Sequence, residues 1–380
     1  MELPKVDFLY LSEPDMIQAG VKNMAGCIDA MEDVFSLMSK GDYMMGGPNG
    51  NEHGIKMMFP KTSNVEGMPL DGPDRRVVAM PAYLGGKYHL CGIKCYGSDQ
   101  RNRGKGLPRS ILMLTLMDLE TGVPIAYMSA NVLSAMRTGA VPGLGARHLS
   151  AKNPKVATIV GPGVMGRTAI DGFVTAQPTI DTVKIKGRSQ SGIEAFINYC
   201  KQTHPTLKNF IVCENMEQAC RDSDIICCGT TNAPVFEDNP YVNGEWLKPG
   251  CLVMATSAML MDEAFMADKT KCKLISDNYK MYEGWGVGRE YPTQKTVSSL
   301  IGMRFYDLVA SGKMKREDIT DIGDILNGYA TGRESEDQVI VYAVGGMPTE
   351  DIAWGYTCYQ KALEMGIGTP LHLWDKPDMA

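Results

Sequence analysis

Between an apolar run at 155–160 and a helix-compatible stretch that begins at Val164 stands Gly161-Pro162-Gly163-Val164-Met165-Gly166. A strand that turns through three glycines at this spacing into a helix leaves few architectures open. The first glycine permits the tight turn, the second lets backbone approach a pyrophosphate, and the third lets helix pack on strand. Unpaired N–H groups and the positive end of the helix dipole complete an anion cradle. Beyond the turn the pattern alternates: strands at 182–186, 210–213, 224–229, 251–256 and 273–276, with helices at 190–202 and 215–221. That alternation predicts an α/β fold, a Rossmann-type doubly wound parallel sheet.

The end of the second strand selects the nicotinamide cofactor. A carboxylate there would bind the ribose 2′-hydroxyl. Asp181 precedes the strand, and its far end reads Lys186-Gly187-Arg188-Ser189. A cation and a hydroxyl suit a 2′-phosphate through charge-assisted hydrogen bonds, so NADP(H) is favoured over NAD(H). The cofactor-binding residues expected from the turn and the strand end are Gly161, Gly163, Val164, Met165, Gly166, Arg188 and Ser189.

The flanking segments read differently. Strands are expected at 7–11 and at 77–83, 88–96, 111–118 and 124–129, the last four an antiparallel run with a hairpin at Gly85-Gly86. Ser12 caps a helix with Pro14 in its first turn. Apolar positions Met24, Cys27, Ile28, Met31, Val34, Phe35 and Met38 fall on one face of a helix ended by Gly41. A small-residue helix at 132–149 contains Pro142, which is expected to kink it. A helix at 321–328, a strand at 338–342 and a helix at 350–365 capped by Thr349 close the chain. The segment 279–291, aromatic and rich in glycine, reads as a lid or an interface loop.

Composition removes several function classes. The 380 residues carry a net charge of −6, against the basic excess of a nucleic-acid binder. Eleven cysteines, an odd number without CxxC spacing, read as free thiols of a reducing compartment. The five histidines are scattered, so no metal is expected. No secretory leader and no run of 18 apolar residues is present, which predicts a cytoplasmic protein without membrane contact.

Cations punctuate the antiparallel region: Arg75-Arg76, Lys94 inside Gly92-Ile93-Lys94-Cys95-Tyr96, Arg109 after Gly106-Leu107-Pro108, and Arg137-Thr138 in the small-residue helix. An Arg or Lys in apolar surroundings calls for an anionic partner, and several together suggest a pocket for carboxylates. Here the chain resembles the ornithine cyclodeaminase/mu-crystallin superfamily of NAD(P)-dependent enzymes. The resemblance rests on Arg76-Val77-Val78-Ala79-Met80-Pro81, Gly92-Ile93-Lys94, Gly106 to Ser110, Thr121-Gly122-Val123-Pro124, Ser134 to Thr138, the glycine turn, Asp324-Ile325-Leu326 through Gly332-Arg333, and Gly346 to Asp351. The run from Arg75 to Gly97 and the ending Gly366 to Leu371 are most similar to two branches. One is the dehydrogenase branch of 2,3-diaminopropionate biosynthesis; the other is a branch named for a component of tyramine oxidase.

The resemblance implies a Rossmann domain at 141–336 inserted into an α+β substrate-binding and dimerisation domain, 1–140 plus 337–380, and hence a homodimer. It implies that Lys94 and Arg137 grip the α-carboxylate of a small amino or imino acid as the catalytic pair, with Arg76 nearby. By the same resemblance Thr138, Thr230, Thr231 and Ser257 join the glycine turn in holding the cofactor, and Arg109 reads a second carboxylate. Cyclodeaminases place an aspartate after the fifth Rossmann strand, where this chain has Ser257 as a substrate- and cofactor-facing residue. A serine hydrogen-bonds but cannot take up a proton from an ammonium. The expected activity is therefore an amino-acid dehydrogenase or ketimine reductase, with Lys94 as the proton donor or acceptor. The alternatives are ammonia-releasing cyclisation and a non-catalytic accessory protein that binds cofactor.

Overall fold

The computed structural model describes residues 5–379, which divide into two compact units. One contains the chain up to Asn23, Lys40–Ser134 and the segment from Met347; the other contains Met24–Ser39 and Ala135–Gly346. In chain order the first elements are β1 (Val6–Leu11), α1 (Glu13–Gln18), α2 (Met24–Ser39), β2 (Tyr43–Met45), β3 (Ile55–Met58), β4 (Arg76–Leu84) and β5 (Leu90–Ser98). Then come β6 (Ser110–Met117), β7 (Pro124–Ser129), α3 (Asn131–Leu149), β8 (Val156–Val160), α4 (Val164–Ala176), β9 (Thr182–Lys186), α5 (Gln190–Thr203) and β10 (Asn209–Val212). After these follow α6 (Met216–Cys220), β11 (Ile225–Cys228), β12 (Tyr241–Val242), β13 (Leu252–Ala255), β14 (Leu260–Met261), α7 (Glu263–Ala267), β15 (Cys272–Ser276) and α8 (Tyr279–Gly286). The last are α9 (Thr293–Thr296), α10 (Ile301–Ala310), β16 (Ile319–Asp321), α11 (Ile322–Leu326), β17 (Val339–Ala343), α12 (Pro348–Met365) and β18 (Thr369–Trp374).

The first unit is built on a sheet of order β18-β1-β7-β6-β5-β4-β2, with β3 also paired to β4. All neighbours are antiparallel except β1 and β7. Side chains alternate between its faces. Val78, Met80, Leu114, Leu116, Ala126 and Met128 are buried on one face, which α12 covers. Gly92 admits this helix, because a Cβ there would lie 2.9 Å from Ile352. Trp354 Nε1 ties α12 to the Val21 carbonyl at 3.1 Å. The opposite face stays open to solvent across Val77, Cys95, Ile111 and Tyr127. Ser12 forms the expected capping box with Asp15, and Pro14 stands in the first turn of α1.

The second unit carries a parallel sheet of order β10-β9-β8-β11-β13-β17-β15-β16. Strand order reverses beside β8, and the glycine turn leaves the carboxyl end of that strand, the usual ligand position in such a sheet. Helix α2 belongs to this unit: Ser36 Oγ donates to Asn327 Oδ1 at 2.7 Å, and Gly323 lies against the Phe35 carbonyl.

Several expectations need revision. The strand expected at 338–342 in the antiparallel domain is β17, and it sits inside the parallel sheet, between β13 and β15. Its five residues are buried on both faces, as an interior parallel strand requires. The unit boundaries accordingly fall at 134 and 346 rather than 140 and 337, and α2 changes sides. Helix α12 starts at Pro348, whose ring pre-sets the helical φ, so Thr349 lies buried in its first turn and is not the cap. The segment 279–291 begins as helix α8, with Tyr279, Met281 and Tyr282 buried against α10, rather than as a loop.

Candidate functional site

In the second unit the three glycines of the turn do three different things. Gly161 has φ of +95°, and a Cβ on it would lie 2.8 Å from the Gly229 carbonyl oxygen at the end of β11. Gly166 faces the Gly161 carbonyl and Ile159, so that α4 packs directly on β8. Gly163, at the N-cap of α4, has nothing within 4 Å of where its Cβ would be. That open space lies at the N-terminus of a 13-residue helix whose first N–H groups have no intrahelical partner. Val164 is exposed and Met165 half-buried at the same rim.

Other expected cofactor residues gather at this end of the sheet. The Gly161 amide donates to the Lys186 carbonyl at 2.8 Å, bringing the end of β9 beside the turn. Arg188 is exposed there, and Ser189 caps α5 by accepting from the Gly192 amide at 3.2 Å. Thr230 follows β11, and its Oγ1 is buried without a hydrogen-bond partner. Thr231 is exposed. Ser257 is buried after β13 and donates to the Cys228 carbonyl at 3.3 Å. An empty cradle over Gly163 and an unanswered buried hydroxyl at Thr230 both fit the phosphates of a dinucleotide.

Helix α3 supplies Arg137 and Thr138 to the same unit. Gly139 lets α3 approach the Thr168 backbone of α4. Arg137 is buried, and its Nη1 passes over Gly346, where a Cβ would lie 2.6 Å away. Gly346 also has φ of +72°, so both backbone and space exclude a side chain at this point. The Gly345 amide donates to buried Asp277, which also accepts from the Asn278 amide at 2.8 Å. Burial pushes the Asp277 carboxyl up to about 6.

In the first unit the cations occupy the helix-covered face of the sheet. Lys94 is 2% exposed, and its Nζ lies 2.5 Å from Asp351 Oδ2 and 3.4 Å from Ser134 Oγ. Asp351 is fully buried in the first turn of α12. Further along the same face, Arg76 and Arg109 both form ion pairs with Asp74, the second at 3.2 Å. Lys94 and Arg137 therefore belong to different units, whereas Arg76 and Lys94 lie on paired strands of one sheet and Arg109 directly precedes its strand β6.

Sequence reasoning did not assign roles to Asp351, Asp74 or Asp277. Asp351 stood inside the matched stretch from Gly346, and its signal was the acidic pair Glu350-Asp351 just after Thr349 and ahead of an apolar run. Asp74 offered only its place beside two arginines.

Comparison with known proteins adds the following. A model of the ornithine cyclodeaminase/mu-crystallin family matches residues 20–366. The N-((2S)-2-amino-2-carboxyethyl)-L-glutamate dehydrogenase of Staphylococcus aureus is 29% identical, covering 97% of this chain and 99% of its own. An archaeal alanine dehydrogenase, solved as a dimer with bound NAD, superposes with a TM-score of 0.75 at 23% identity over 97% of this chain and all of the other. The Thermococcus litoralis Delta(1)-pyrroline-2-carboxylate reductase, solved with NADH and L-proline, gives 0.74 at 22% identity, over 95% and 99% of the two chains. At such identities the two structures establish a shared fold.

Proposed function

The chain belongs to the ornithine cyclodeaminase/mu-crystallin family, and we propose that it is an NAD(P)-dependent oxidoreductase acting on the C–N bond of an amino acid or its imine. The observation that carries this reading is the glycine turn, whose middle glycine opens on empty space while the outer two are filled against backbone. The relative in Staphylococcus aureus is named as a dehydrogenase of an amino acid with several carboxylates.

A bound nicotinamide supplies or accepts hydride at the carbon that bears the nitrogen. The rest of the chemistry falls to the chain. Lys94 and Arg137 hold the α-carboxylate, with Arg76 in support, and Arg109 reads a second carboxylate on the substrate. Lys94 also gives or takes the proton at nitrogen, and Asp351 fixes its ammonium in an otherwise apolar place. Ser257 contributes a hydrogen bond only, which suits redox chemistry better than ammonia-releasing cyclisation. Gly161, Gly163, Val164, Met165, Gly166, Thr138, Thr230 and Thr231 hold the cofactor. Arg188 and Ser189 select NADP(H) over NAD(H) through the 2′-phosphate. A second copy of the chain covers the open sheet face, making a homodimer, and the free thiols suit the cytoplasm.

Titration with NADPH and NADH, followed by nicotinamide fluorescence, tests the reading. NADPH is expected to bind more tightly. Arg188→Ala should weaken NADPH about 10- to 100-fold, the worth of a charge-assisted contact, and spare NADH. Preference for NADH would overturn the 2′-phosphate contact. Failure to bind either would overturn the enzyme reading.

A further inference from the structure

The chain leaves the parallel sheet through two consecutive glycines. Gly345 and Gly346 follow β17 at the carboxyl end of that sheet, the end that also carries the glycine turn. Two glycines in a row give a backbone many conformations to choose from. Here the pair is held from two sides. Gly346 lies under the Arg137 guanidinium of α3. Gly345 lies against Met281 and Tyr282 of α8, where a Cβ would stand 2.7 Å from the Tyr282 hydroxyl.

A carboxylate fixes the backbone between these contacts. Asp277, the first residue after β15, is 3% exposed. Its own amide donates to the Ala343 carbonyl at 3.2 Å, which keeps it beside the end of β17. One carboxylate oxygen accepts from the Gly345 amide at 2.5 Å and the other from the Asn278 amide at 2.8 Å. A buried carboxylate is a costly way to hold a loop, since a neutral acceptor serves a purely structural bond. Carboxyls so perturbed concentrate at functional sites. Burial pushes this one up to about 6, against the two amides and the Tyr282 hydroxyl of α8, and Asp321 of β16 adds to the rise. Asp321 is itself paired with Arg316 at 2.5 Å. Tyr342 of β17 turns toward Gly145 of α3, and the charge that α3 contributes is Arg137, across Gly346.

We propose that Asp277 is a positioning residue for Arg137: its carboxylate accepts the Gly345 amide, fixes the diglycine turn on which the guanidinium rests, and so aims Arg137 at the substrate's α-carboxylate. The inference rests on the role given to Arg137 above and places that role under the control of pH. The ionised carboxylate accepts both amides at full strength. Protonation turns one oxygen into a hydroxyl, a weaker acceptor, so the turn gains freedom and the guanidinium loses its seat. Substrate affinity is therefore highest above the Asp277 midpoint and falls as pH drops through it. By linkage, a bound carboxylate lowers that midpoint.

Proton–nitrogen NMR spectra of the full chain, recorded between about pH 4.5 and 8, test the inference. The Gly345 amide and the Arg137 Nε–H should shift together with one midpoint of about 6, and neither should titrate in Asp277→Asn. Tyr282→Phe removes a hydroxyl that favours ionisation and should raise the midpoint of both signals. Calorimetry with pyrrole-2-carboxylate, a planar mimic of an imino acid, should give an affinity about five- to tenfold higher at about pH 7.5 than at about pH 5, where about one chain in ten is ionised at Asp277. Asp277→Asn should show no such difference. Titration of Gly345 without movement of Arg137 would make Asp277 an acceptor for the turn alone and overturn the proposal. A pH dependence of affinity that survives in Asp277→Asn would overturn it as well. Arg137→Met separates the proposal from the function it rests on. If Gly345 and Arg137 titrate together in the wild type, yet this variant binds the probe as the wild type does, the coupling stands and the α-carboxylate role of Arg137 falls.

Discussion

Lys94 and Asp351 lie 257 positions apart in sequence, yet they make the most buried ion pair described in the first unit. Lys94 was legible, because a lysine in an apolar strand requires an explanation. Asp351 was not, since only the fold brings α12 over β5. Removing either partner takes a buried countercharge from the other, so Lys94→Met and Asp351→Asn should each cost about 3–5 kcal/mol of stability by denaturant unfolding. The double variant should recover most of that loss. Turnover should not recover with it, because loss of a proton-transfer group costs kcat about 10²- to 10⁴-fold. Asp277 offers a second check. Its carboxyl is raised from 3.8 to about 6 by burial, so the folded chain holds a proton that the unfolded chain has released. Its contribution is full below the unfolded value and is lost as pH rises through the folded one. Between pH 4 and 6.5 the wild type should lose about 2 kcal/mol of stability relative to Asp277→Asn, measured by urea unfolding across that range.

The glycine turn was read in full at the level of elements, because each glycine answers a local geometric demand. The structure ranks those demands. Gly163→Ala should melt as the wild type does, having nothing to strike, while nucleotide affinity falls at least about tenfold as the cradle fills. Gly166→Ala should lower stability by about 1–3 kcal/mol, because α4 has no room to retreat from β8. Thermal melting and nucleotide titration on the two variants separate the cases. Most strands and helices were visible through their periods of two and of three to four. Strands β12, β14 and β16 were not, being two or three residues long and too short to show a period, and the longer β18 and α10 went unread as well. Helix α8 escaped detection because its glycines and aromatics resemble a loop until burial orders them. The N-terminus of α12 was misplaced by two residues, because a threonine cap is a stronger local signal than a proline start.

Across the whole molecule, hydrophobic patterning separated an antiparallel from a parallel region, but not the exchange of segments between them. Neither α2 nor β17 carries a local sign of which unit it serves, since both are apolar and fit either core. The open sheet face has a consequence for assembly. An exposed apolar surface of this kind needs a partner, and Tyr127, 37% exposed, stands among its strands. Tyr127→Glu should convert a dimer to a monomer in sedimentation while leaving the circular dichroism spectrum intact; a dimer that persists would place the contact elsewhere.

The sheets also determine when this chain can fold as it is made. The parallel sheet lacks an interior strand until β17 has emerged, and the antiparallel sheet lacks its covering helix and the edge strand β18 until later still. Domains ordinarily form in order behind the ribosome, N-terminal first. Here the segment from β17 to β18 must be synthesised before either core can close, and the nascent chain waits with apolar strands uncovered. Such a protein should depend on chaperones during translation, and its yield should respond to elongation rate in the codons for β17 to β18 more than in those for the strands before them.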